Sequence, residues 1–139
     1  MPPLTRWYIK LALLYFVAAL LVAALQAAGE PLGLPAAFAA MGPTAVHMLV
    51  VGWITQMIFG VAYWMFPKDT PERPRGNDAL ALATFVFLNA GLLLRVVAEP
   101  LYRLRPAGFL GALLVASAVA QWLGGVGFAA TAWRRVKER

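Results

Sequence analysis

The stretch GPTAVHMLVVGWITQMIFGVAYWMFPK (Gly42–Lys68) decides the fold. From Thr44 to Phe66 it carries no Asp, Glu, Lys or Arg, and its one imidazole, His47, is the only histidine of the chain. About 20 consecutive apolar residues are enough to cross the hydrocarbon core of a bilayer as a helix. This run therefore reads as a membrane span with a single ionisable group near one end.

Working outward, three more runs have the same character: Trp7–Ala28, Asp78–Ala98 and Ala107–Trp133. Hydrophobic residues make up 62% of the 139-residue chain and charged ones only 13%. A water-soluble domain this small has too high a surface-to-volume ratio to hide that much apolar surface. Lipid is the solvent instead. The expected fold is all-α: a single polytopic membrane domain over residues 1–139, with four transmembrane helices in an up-down bundle. The first run is followed by further spans, and "AALQAAGEP" is only loosely like a cleavage site, so a signal peptide is not the reading. No internal repeat is apparent.

The connectors differ. Gly29–Pro43 has no positive charge, and its middle is suited to a short interfacial helix. Pro67–Asp78 is Pro-rich and charged, and Asn77 or Asp78 can cap the third helix. Glu99–Pro106 is short, which makes the third and fourth helices antiparallel neighbours. With both termini cytoplasmic, the inner side collects Arg6, Lys10, Lys68, Arg73, Arg75, Arg134, Arg135, Lys137 and Arg139. The outer side keeps only Arg103 and Arg105. That bias follows the positive-inside rule. Trp7, Tyr8, Tyr63, Trp64 and Trp133 then sit at inner boundaries and Tyr102 at the outer one. The net charge of +6 lies at the ends of the spans, so nucleic acid is not an expected partner; membrane lipid is.

Ionisable groups inside a span are costly and read by default as functional. His47 lies about one turn into the second span and Arg95 about one turn before the outer end of the third, at similar depth. Glu99 is four residues after Arg95, on the same helical face. Two readings of Arg95 stand together: an intrahelical pair with Glu99, its guanidinium reaching the outer interface, or a cation holding a buried anion such as a heme propionate. On the second span, α-helical spacing puts His47, Val51, Ile54 and Ile58 on one face. Gly52, Gln56 and Gly60 fall on roughly the opposite one, where small residues four apart let backbones approach closely. The imidazole needs a hydrogen-bond partner, a metal or a heme iron. The plain alternative is a neutral histidine bonded to a carbonyl or water. Ser117, Gln121, Gly124 and Gly125 form a second small and polar stripe, and Gln56, Gln121 and Asn89 are read as packing residues. With no cysteine and one histidine, a multi-ligand copper or zinc site within one chain is excluded unless carboxylates or other subunits contribute. No acid/base pair, phosphate loop or activated nucleophile emerges, and no catalytic residue is assigned.

The stretch His47–Lys68 resembles the heme-ligand helix of the heme-copper oxidase superfamily, the second helix of subunit I. It is more similar still to the short versions in small subunit-I-like proteins and in the NnrS family of membrane heme proteins. The matching features are His47, Gly52, the Ile58–Gly60 "IFG" step, Tyr63 and Pro67. NAGLLLRVVAEP (Asn89–Pro100) is similar to the following helix of the small members. The resemblance implies heme b as cofactor, His47 as axial ligand of the iron and Arg95 on a propionate. Later histidines of the oxidases and of NnrS-like proteins have no counterpart here, so oxygen reduction by this chain alone is not expected. Three ligation schemes stay open: His47 from two subunits, a methionine (Met41 or Met48) as second ligand, or an open position for a gas. The expected function is electron transfer or diatomic-gas (NO or O₂) binding in a homo-oligomer of a bacterial or archaeal inner membrane, with a respiratory or nitric-oxide-related redox partner. The alternative is a cofactor-free accessory or structural membrane subunit, or a small transporter.

Overall fold

A computed structural model describes residues 1–136. Lys137 and Arg139, counted above on the inner side, and Glu138 lie outside the described residues. Among the described residues four helices are long and apolar enough to cross a membrane: Pro3–Ala28, Gly42–Met65, Asp78–Leu104 and Gly108–Trp133. They are called the first to fourth spans below. The first begins four residues earlier than its apolar run, with proline in its first turn, where the missing N–H costs nothing and φ is already helical. The third continues to Leu104, past its expected end at Ala98 and through Pro100. That proline removes one hydrogen bond, to the Val96 carbonyl. It does so close to the end of the span, where the loss is cheapest. Asn77 supplies the cap, its Oδ1 accepting from the Ala79 and Leu80 amides at 3.0 and 3.2 Å. The connector after the first span contains one helical turn, Ala36–Ala39, tied back by Gln26 Nε2, which donates to the Phe38 carbonyl.

The spans pack as two antiparallel hairpins. In the first hairpin, Gly52 lies against Tyr15 and Gly60 against Tyr8 and Thr5. In the second, Gly91 lies against Ser117 and Gln121, Gly124 against Leu88, and Gly127 against Thr84. Between transmembrane helices, such small residues are what allow close backbone approach. The expected packing role of Gly52, Gln56 and Gly60 is therefore met inside the bundle. Of the second stripe, Gly124 packs, whereas Gly125 faces open space. The hairpins meet along a seam with two apolar cores. One gathers Tyr15, Ala19, Met48 and Leu92. The other gathers Tyr8, Phe59 and Leu88, reinforced by the Phe59–Phe128 stack at 3.8 Å and the Tyr8–Phe85 edge contact at 4.9 Å.

The second span departs from an α-helix over Met48–Thr55, which is π-helical. Thr44, Met48, Gly52, Gln56 and Gly60 are all buried, a column with a strict four-residue repeat. An α-helix has 3.6 residues per turn, so such a column would drift around it by about 40° each step. The wider π turn removes much of that drift and keeps the column facing the first span and the seam with the third. The same change breaks the other expected face. Ile54 and Ile58 join Val46 and Val50 on an exposed stripe, while His47 and Val51 stay half-buried.

Candidate functional site at the two polar ends of the seam

At the end away from the termini, Pro43 lies in the first turn of the second span and His47 follows one turn later. The His47 Nδ1 sits 2.9 Å from the Pro43 carbonyl. A carbonyl can only accept, so Nδ1 carries the proton, and in the neutral ring the lone pair is the one on Nε2. The ring is thereby oriented as well as assigned its tautomer. A backbone carbonyl on the second nitrogen is a common way of orienting metal-ligating imidazoles.

One turn before His47 on the same helix, Thr44 is fully buried and donates to Glu99 Oε2 at 2.9 Å. The other carboxylate oxygen, Oε1, accepts from Arg95 at 3.3 Å. Side-chain exposures of 17% and 13% place this ion pair mostly inside the bundle. The intrahelical reading of Arg95 and Glu99 is thus realised, and Thr44 adds a link between spans that the sequence did not announce. Arg95 is not saturated: its Nε–H is buried and has no hydrogen-bond partner. Met48 turns away from this cluster into the core against Tyr15 and Leu92. Met41 precedes the second span directly and is half-buried.

The end that carries the termini holds a second clasp. Arg135, read from sequence only as one of the basic inner residues, is 2% exposed. Its Nε donates to the Pro67 carbonyl at 3.0 Å, and its two terminal nitrogens to the Tyr63 and Phe66 carbonyls at 2.9 and 2.7 Å. The second span ends there before Pro67, and the last carbonyls of any helix lack intrahelical partners. A guanidinium with donors in a rigid fork satisfies one of them, that of Tyr63, together with the two carbonyls just past the helix end. Burial, the largest influence, pulls the pKa of Arg135 down from its ordinary value. Tyr63 also donates its hydroxyl to Asp78 at 2.7 Å, tying the second span to the third. Arg134 pairs loosely with Asp69 at 3.9 Å.

Between the clasps the polar groups serve packing. Ser117 donates to the Gly91 carbonyl at 2.6 Å and accepts from Gln121 at 3.0 Å. Asn89 donates to Phe85 of its own helix. Gln56 reaches the Tyr8 carbonyl at 3.5 Å. A small cavity of about 10 Å³ lies between Tyr8, Phe59, Thr84 and Phe128, room for about one water molecule. A groove of about 250 Å³ opens at the terminal end beside Trp7, Tyr63, Arg75 and Asp78. Neither space is lined by His47 or Arg95. Among the described residues no group of three or more His, Cys, Asp or Glu could hold a metal ion. Compared with known proteins, the chain matches no family model, no curated protein and no solved structure.

Proposed function

We propose that this is a b-type heme-binding protein of a bacterial or archaeal inner membrane, with both termini cytoplasmic and His47 as axial ligand. The observation that carries this reading is the Nδ1–Pro43 contact, which orients the imidazole and makes Nε2 the nitrogen that a neutral ring would offer to iron. Arg95 also keeps a donor for a propionate, because its Nε–H has no partner beside the pair with Glu99; that atom is buried, so the side chain would have to turn outward to use it. The heme would sit in a cleft between helices or between copies of the chain; the two spaces described above are not lined by these residues. Bound there, heme would supply reversible one-electron chemistry or a site for nitric oxide or oxygen. The chain's own part is to hold the ring of His47 and a cation at the same end of the seam.

Oxidised and dithionite-reduced absorption spectra of the detergent-purified protein, with pyridine hemochrome quantitation, test it. The expected result is a Soret band that His47→Ala abolishes, at one heme per two chains if His47 is donated from both. A Soret band unchanged in His47→Ala overturns the assignment.

A cofactor-free accessory or structural subunit is the second reading. It is favoured by the neutralisation of Arg95 by Glu99 within the chain. Colourless protein after reconstitution with heme selects it.

A further inference from the structure

The groove of about 250 Å³ at the terminal end plays no part in the heme reading. It lies between the starts of the first and third spans, with Leu4, Trp7 and Leu82 as its apolar wall. Arg75 and Asp78 face it three residues apart and do not pair with each other. Arg75 makes no hydrogen bond or ion pair with any described residue. Asp78 uses Oδ1 to accept from Tyr63, and no described donor occupies Oδ2. A cation and an anion thus stand at the mouth of one groove, each with bonding capacity left. The depth is that of the headgroup layer, because the groove opens where two membrane-spanning helices begin and Trp7 stands half-exposed beside it.

We infer that this groove binds one phospholipid whose headgroup carries both a phosphate and a primary ammonium, of the phosphatidylethanolamine type. Arg75 takes the phosphate, where a guanidinium can make two parallel charge-assisted hydrogen bonds. Asp78 takes the ammonium through Oδ2, and the acyl chains run down past Leu4 and Leu82. An anionic lipid without the amine would satisfy Arg75 and leave Asp78 repelling it. A choline headgroup offers no N–H to the carboxylate.

Native mass spectrometry of the detergent-solubilised protein tests this with equimolar phosphatidylethanolamine, phosphatidylglycerol and phosphatidylcholine of identical chains. The wild type should retain the ethanolamine lipid preferentially. Arg75→Gln should lower retention of all three by about threefold, the scale of one exposed charge pair. Asp78→Asn keeps an acceptor for Tyr63 and should erase the preference for the ethanolamine headgroup over the other two. Arg73→Gln, in the same loop but outside the groove, should behave as wild type. Helicity by circular dichroism and a single elution peak establish that each variant is folded. Equal retention of the three lipids by the wild type, a preference for phosphatidylglycerol, or a profile untouched by both groove substitutions overturns the assignment.

Discussion

Thr44 and Glu99 are joined by a hydrogen bond of 2.9 Å that crosses from the second span to the third, 55 residues apart in sequence. It makes the Arg95–Glu99 pair part of the tertiary structure rather than an ornament of one helix. Thr44→Val keeps the shape and removes the donor, leaving Glu99 Oε2 without that partner in a mostly buried position. The expected loss is about 1 kcal/mol, the usual scale of an interhelical hydrogen bond in a membrane. Equilibrium unfolding in mixed micelles measures it. If Thr44→Val unfolds at the wild-type midpoint, the bond contributes nothing net.

The His47 Nδ1–Pro43 contact separates the two functional readings. His47→Ala should abolish heme binding, whereas Thr44→Val, one turn away, should leave the Soret band in place. Loss of the band in both variants would mean that the end of the bundle has collapsed, not that a ligand was removed. Absorption spectra and thermal melts of the two proteins, taken side by side, distinguish these cases.

Arg135 should be the most sensitive residue at the terminal end. Arg135→Ala takes the donor from the buried Tyr63 carbonyl and from the part-buried Phe66 and Pro67 carbonyls, and each hydrogen bond to a charged group is worth about 1.5–3 kcal/mol. Lysine has the charge but not the planar fork, so Arg135→Lys should recover only part of the loss. Full recovery by lysine would show that charge, not geometry, holds the clasp.

What could be read in the sequence followed from local rules. Run length gives the spans, glycines and Gln56 at four-residue spacing give the packing face, and Arg95–Glu99 follows from helical spacing. Arg135 was hidden for a physical reason: its partners are carbonyls 68 to 72 residues away, and a carbonyl has no signature in sequence. The π-helical turn was hidden as well. Nothing in Met48–Thr55 forbids an α-helix; the turn widens so that Met48, Gly52 and Gln56 stay in line against the first hairpin partner and the seam. The one visible trace was the repeat of exactly four residues, where an amphipathic α-helix would alternate threes and fours. The His47 contact, by contrast, is the plain carbonyl alternative weighed from sequence, and it is compatible with a ligand on the opposite nitrogen.

That column makes a last prediction about glycine. A Cβ at Gly52 would come within 2.6 Å of Tyr15 Cγ and 2.8 Å of Tyr15 Cβ and Leu92 Cδ2, contacts too short to persist. At Gly60 it would meet Tyr8 Cβ at 2.6 Å. Both obstacles are near the backbone of the first span, so relief requires the helices to separate. Gly52→Ala and Gly60→Ala should each destabilise by about 1–3 kcal/mol, the range for overpacking a close-fitted interior. Gly125, on the fourth span, has nothing within 4 Å of such a Cβ. Gly125→Ala should be neutral, or stabilising by up to about 1 kcal/mol through helix propensity. Thermal denaturation of the three variants in one detergent decides it. If Gly52→Ala and Gly125→Ala melt together, the seam is looser than this packing requires, and the four-residue column does not hold the first hairpin closed.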